Sequence, residues 1–157
     1  MGDKQHSDTT DKYASLLLDN QLCFPLYVCA KEIIKSYAPY LSDLGLTYTQ
    51  YITMMVMWEE KQTVLRHLKE RLYLDSGTLT PVLKKLEEKG YITRSRSEKD
   101  ARDLVISVTP LGEELKEKAV LVPGQVQKCI SCMDVKDAVK LKELLDDMMA
   151  IFTNSSR

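Results

Sequence analysis

The sequence predicts a mainly α-helical fold carrying one small β-hairpin, and three observations lead there. Apolar residues recur at three- and four-residue spacing through most of the 157 residues, the period of helices with one buried face. One stretch, Ile92 to Val108, abandons that period for two short β-prone runs around a charged tip. Gly90 before it and Thr109-Pro110 after it are a helix stop and a helix start, so the hairpin is set between two helices.

The elements follow in order. From Leu22 to about Leu44 the chain is mostly apolar with helical period. Thr47 and Gln50 form a capping box, in which each side chain satisfies a free backbone donor of the other at a helix start. That second helix runs from Tyr51 through Met54, Met55 and Met57 to Trp58, its methionines read as core. A third is expected from about Thr63 to Leu72, with Val64, Leu65, Leu68 and Leu72 on one stripe and Arg66, Lys69 and Arg71 outside. Asp75 or Ser76 caps a fourth, whose buried stripe is Leu79, Val82, Leu83 and Leu86 and which Gly90 ends. Pro81 bears on where its regular part begins, because proline is tolerated best in a first turn. One strand closes at Arg94-Ser95-Arg96 and the other is Leu104–Val108. Thr109-Pro110 opens a fifth helix, interrupted at Pro123-Gly124. Asp134 caps a last one, with Ala138, Leu141, Leu145, Met148 and Phe152 at helical spacing.

Three helices and a ribbon, flanked by helices at both ends, describe a winged helix-turn-helix with added dimerisation elements. Residues 1–14 are a polar, flexible N-terminus, 47–108 the winged helix-turn-helix, and 15–46 and 109–157 the dimerisation helices. The central unit has apolar stripes of its own, so the terminal helices are expected to pack against a second copy.

Composition bounds the function. The chain is 44% hydrophobic and 29% charged, ordinary for one globular domain. No apolar run reaches a membrane span and the N-terminus lacks the plan of a secretion signal, so a cytoplasmic protein is expected. Its four cysteines are then reduced thiols at rest. Myristoylation at Gly2 is not expected, because His6 stands where Ser or Thr is needed. Net charge is only -1, but Lys61 to Leu104 holds eleven basic residues against seven acidic ones, leaving +4 there and -5 elsewhere. A positive centre on an acidic frame suits DNA binding by one face.

The fourth helix is the groove reader: Ser76, Thr78 and Thr80 are short hydroxyl donors at its start, and Lys84 and Lys85 extend towards phosphates. The wing tip offers Arg94, Arg96, Lys99 and Arg102 for a narrow minor groove, with Asp100 holding Arg102 in place. The expected partner is a double-stranded, pseudo-palindromic operator.

The run Leu74 to Pro81 (Leu-Asp-Ser-Gly-Thr-Leu-Thr-Pro), the exit Gly90 to Arg94 and the tip Asp100-Ala101-Arg102 resemble the MarR family of dimeric winged-helix repressors. From about Leu16 to Phe152 the resemblance is closer to its organic-hydroperoxide-sensing, OhrR-type branch. It implies a homodimeric repressor, not an enzyme, with no cofactor, that releases its operator when an organic hydroperoxide oxidises a cysteine.

Cys23, in the run Leu17 to Tyr27, is that cysteine. The thiolate attacks the O–O bond, so its pKa must be lowered. No lysine or arginine lies within seven residues of it, which leaves the free N–H groups of a first helical turn as the local device. The resemblance implies that Tyr37 and Tyr48 hydrogen-bond the sulfur, with Tyr27 near it from the partner subunit. Pro25 stands where relatives often carry a small helix former. Cys29 is expected in the core.

Cys129 and Cys132 form a C-x-x-C, but the only histidines, His6 and His67, are badly spaced to complete a zinc site. The resemblance implies that either could resolve oxidised Cys23; otherwise a low-molecular-weight thiol would. Two further readings stand beside this one: a regulator answering a phenolic ligand or a broader thiol-based stress or virulence signal, and a thiol oxidoreductase using the C-x-x-C, which lacks the βαβ context that motif needs.

Overall fold

The computed structural model describes residues 12–97, 103–129 and 133–155. After two 3-10 turns, Ala14–Leu16 and Leu18–Asn20, come α1 (Cys23–Asp43), α2 (Tyr48–Glu60), β1 (Gln62–Val64), α3 (Leu65–Leu72) and α4 (Ser76–Glu88). Then follow β2 (Ile92–Arg96), β3 (Leu104–Val108), α5 (Pro110–Ala119), α6 (Val122–Cys129) and α7 (Val135–Ser155). Mostly helical with a small antiparallel sheet, this is the predicted fold class.

Local chemistry starts the helices where expected. The Gln50 N–H donates to Thr47 Oγ1 at 3.3 Å and the Thr47 N–H donates back to Gln50 Oε1 at 3.2 Å. Asp75 accepts from the Thr78 N–H at 2.8 Å, Thr109 from the Gly112 N–H at 3.0 Å, and Asp134 from the Asp137 N–H at 2.8 Å. At the end of α4, Gly90 takes a positive φ of 76°, its N–H reaches Glu87 O, and the Tyr91 N–H reaches Leu86 O. Those two bonds satisfy carbonyls that a helix end leaves free.

Three expectations change, the first being Met55 of α2, read as core but exposed. The third helix was placed from Thr63, but Gln62–Val64 forms a strand antiparallel to β3, pairing Thr63 with Ile106, and the helix starts at Leu65. Lys61, at a φ of 63°, turns the chain out of α2, and its carbonyl accepts from the Val108 N–H at 2.9 Å. The ribbon is therefore a three-stranded sheet in the order β1-β3-β2. Pro81 is the sixth residue of α4 rather than part of its first turn. Gly77, whose carbonyl Pro81 cannot reach with an N–H, is exposed, so water can take that place.

The core gathers Leu41 of α1, Met54 and Met57 of α2, Leu68, Leu79, Leu83 and Leu86 of α3 and α4, and Ile92 and Ile106 of the sheet. The Trp58 indole N–H donates to Gly112 O at 2.7 Å, which pins α5 on α2. A Cβ on Gly112 would lie 2.2 Å from Tyr91 O, so only glycine lets α5 sit this close to the hairpin.

The flanking helices are different. α1 buries only Leu41 and leaves Phe24, Tyr27, Val28, Ile33 and Ile34 exposed. Along α7, Val135, Val139, Leu144, Leu145, Met149 and Phe152 are exposed as well. Much of each apolar face is therefore open to solvent among the described residues. Among the described residues no helix is long and apolar enough to cross a membrane.

Candidate DNA interface and thiol site

The outer face of α4 presents Ser76, Thr78, Thr80, Lys84 and Lys85, all exposed, while Leu79, Leu83 and Leu86 hold its other face in the core. Thr78 is partly committed to the cap: its hydroxyl lies 3.2 Å from Asp75 Oδ2. The Thr78 backbone and hydroxyl donors keep the Asp75 carboxyl below the usual range. Lys84 sits 3.9 Å from Glu88 with both side chains exposed, a pair too well solvated to remove the ammonium from service.

Arg94 is not at the wing tip. It lies in the middle of β2, opposite Ile106, and its side chain folds back onto α4. Its backbone N–H reaches Glu87 Oε1 at 3.1 Å, and Nε and Nη2 reach Oε2 at 2.9 and 2.5 Å. These bonds hold the Glu87 carboxyl below its usual range. Arg94 thus joins wing to helix. Glu87 was missed in the sequence, although period-two alternation puts Arg94 on the face of buried Ile92. Arg96, the next residue on that face, is exposed. Lys99, Asp100 and Arg102 lie outside the described residues.

The thiol residues come in two separate pieces. Cys23 is the first residue of α1 and exposed, and no side chain caps that helix. Pro25 falls in the first turn, where its missing N–H costs no hydrogen bond. Tyr27 is one turn beyond Cys23 and 64% exposed. Tyr37 lies fourteen positions beyond Cys23 on the same helix, about 21 Å away at 1.5 Å per residue. There it packs edge-on against Tyr48, the first residue of α2, with ring centroids 5.1 Å apart. Burial, then the neighbouring Tyr37, raises the Tyr48 phenol above its ordinary value.

Within one chain Cys23 therefore lies a turn from Tyr27 and too far from Tyr37 for the expected hydrogen bond. Cys29, expected in the core, is exposed. Cys129 ends α6, and Cys132 lies outside the described residues. Among the described residues no three His, Cys, Asp or Glu side chains are grouped to hold a metal.

A family model described as transcriptional regulator SarA/Rot matches residues 35–119, from the second half of α1 through α5. The chain belongs to the SarA/Rot family. It is similar to the organic hydroperoxide resistance transcriptional regulator of Bacillus subtilis (strain 168), 45% identical over 135 residues, 86% of this chain and 91% of that one. It is also similar to the HTH-type transcriptional regulator SarZ of Staphylococcus saprophyticus, 46% identical over 132 residues, 84% of this chain and 90% of that one. The solved structure of reduced AbfR bound to DNA matches with a TM-score of 0.72 and 32% identity, over 87% of this chain and 96% of that one. Fold and relatives agree on a DNA-binding transcriptional regulator of the MarR and SarA type.

In this SarA/Rot regulator the end of α4 meets the end of α1 at a polar junction. Just past the end of α1, Gly45 takes a φ of 65°, with the Gly45 N–H on Ser42 O and the Leu46 N–H on Leu41 O. The Lys89 ammonium, at the end of α4, donates to Gly45 O and, at 3.2 Å, to Gln50 Oε1. Beside it an open cleft of about 850 Å³ separates α1 from α4, lined by Ile34, Ala38 and Leu41 of α1, Tyr48, and Lys85 and Lys89 of α4. The sequence offered no signal for this junction, which spans 39 residues from Gln50 to Lys89.

Proposed function

We propose that the chain is a homodimeric repressor that binds a pseudo-palindromic operator when reduced and releases it when an organic hydroperoxide oxidises Cys23. The observation that carries this is the division of the thiol residues: Cys23 and Tyr27 at one end of α1, the Tyr37–Tyr48 pair at the other. A second copy packed antiparallel along α1 would bring its Tyr37 and Tyr48 to Cys23, completing two sites at once. The exposed apolar faces of α1 and α7 supply the surface for that pairing.

The chemistry then balances. The Cys23 thiolate attacks the distal peroxide oxygen, the O–O bond breaks, and the alkoxide leaves and takes a proton as the alcohol. Sulfur loses two electrons and becomes sulfenic acid. Phenol hydroxyls and first-turn N–H groups stabilise the thiolate while leaving an apolar approach open. A thiol, from Cys129, Cys132 or a small molecule, condenses with the sulfenic acid to a disulfide and water.

On DNA, Ser76 and Thr80 face base edges, Lys84 and Lys85 the phosphates, and Arg96, with Lys99, Asp100 and Arg102 that follow it in the sequence, serves the neighbouring minor groove. Thr78 contributes through its cap. The names of the relatives support this reading: one is a hydroperoxide resistance regulator, and the solved complex is of a reduced protein on DNA.

The test is a gel shift on a duplex selected from a random-sequence pool by the reduced protein. Cumene hydroperoxide is expected to release the duplex and dithiothreitol to restore binding. Binding that ignores both reagents would overturn the reading. The cleft beside Tyr48 favours a second one, release by a phenolic ligand; loss of binding on adding a phenol, with thiols kept reduced, would support it.

A further inference from the structure

We propose that Lys89 is a positioning residue that passes a displacement at Tyr48 to the recognition helix, a role that rests on the oxidation-driven release proposed above. Two sets of bonds meet in the last turn of α4. On one side Glu87 holds Arg94 of the wing. On the other, two residues on, Lys89 reaches across the cleft to Gly45 O and Gln50 Oε1. Helix, wing and the turn between α1 and α2 are thus linked through one helical turn.

The position of the acceptors gives the link its meaning. Gly45 follows the end of α1, where the helix dipole favours a cation. Gln50 is buried, and its Oε1 accepts from both the Thr47 N–H and Lys89, each at 3.2 Å. Thr47 is the residue next to Tyr48. A pull on Tyr48 therefore moves the capping box, and with it the oxygen on which Lys89 is anchored. Apolar packing of Leu79, Leu83 and Leu86 holds α4 in the core but tolerates sliding, whereas a charge-assisted hydrogen bond weakens steeply with distance and angle. The cleft leaves room for that movement. A tenfold change in operator affinity corresponds to about 1.4 kcal/mol, which is within the reach of hydrogen bonds from a charged donor.

The experiment compares the full chain, Lys89→Met and Lys89→Arg on the pool-selected duplex, before and after cumene hydroperoxide, with Cys23 sulfenic acid read as a dimedone adduct by mass spectrometry. Lys89→Met removes the donor and keeps the stem; Gln50→Leu removes the acceptor from the other side and serves if either variant folds poorly. All reduced proteins are expected to bind within threefold of wild type and to form the adduct equally. Oxidation should then weaken wild type and Lys89→Arg at least tenfold, but Lys89→Met and Gln50→Leu less than threefold. Lys89→Met released as fully as wild type overturns the latch alone. Reduced Lys89→Met binding tenfold more weakly also overturns it, because Lys89 would then belong to the reading surface. Wild type that stays bound with Cys23 oxidised sinks the redox reading and the latch together.

Discussion

Arg94 of β2 grips Glu87 of α4 with its backbone N–H and two guanidinium nitrogens, the shortest contact being 2.5 Å. Seven residues apart, these two side chains fix the angle between the helix and the wing. Arg94→Ala is therefore expected to lower DNA affinity by loosening that angle, with the salt dependence of binding unchanged. Lys85→Ala, at a position proposed to face phosphate, should reduce the slope of log affinity against log salt by about one. Fluorescence anisotropy across a salt series separates the two; a reduced slope for Arg94→Ala would mean that Arg94 contacts phosphate itself.

The same pair gives a pH dependence. Arg94 depresses the folded-state pKa of Glu87 below its ordinary 4.5, so its contribution to stability is complete above that value and is lost as pH falls through the lowered one. Both side chains are partly exposed, so the effect is small. Thermal midpoints of wild type and Glu87→Gln should differ at neutral pH and converge as pH falls below the ordinary carboxylate range. A gap that widens in acid would contradict this.

How much of this was legible follows from distance along the chain. The caps at Thr47, Asp75, Thr109 and Asp134 announce themselves because acceptor and donor lie three residues apart. β1 did not, because a three-residue strand exists only through pairing with β3, and Thr63 meets Ile106 across 43 positions. The role of Arg94 needed the fold-back of β2 on α4, at which its alternation with Ile92 hinted. The separation of Cys23 from Tyr37 was within reach of helix rise alone, since both lie on one uninterrupted α1.

Gly112→Ala should be costly. Its methyl group would be driven against Tyr91 O, in the seam where Trp58 bonds Gly112 O. A loss of about 3 kcal/mol, the upper end for overpacking, is expected in urea unfolding. Gly124→Ala, with nothing within 4 Å of the new methyl, is the control and should be neutral or slightly stabilising.

The exposed apolar face of α7 should be the glue of the dimer. A charge placed there, as in Leu144→Glu, is expected to shift the mass in sedimentation equilibrium from two chains to one and to abolish tight operator binding. A variant that stays dimeric would move the interface elsewhere.

In the proposed function one sulfur switches DNA binding. The direct measurement adds cumene hydroperoxide to the preformed protein–DNA complex and follows anisotropy and the Cys23 dimedone adduct together, for wild type and Cys23→Ser. Wild type should release DNA in step with adduct formation while Cys23→Ser stays bound. Release of Cys23→Ser at the wild-type rate would contradict the account.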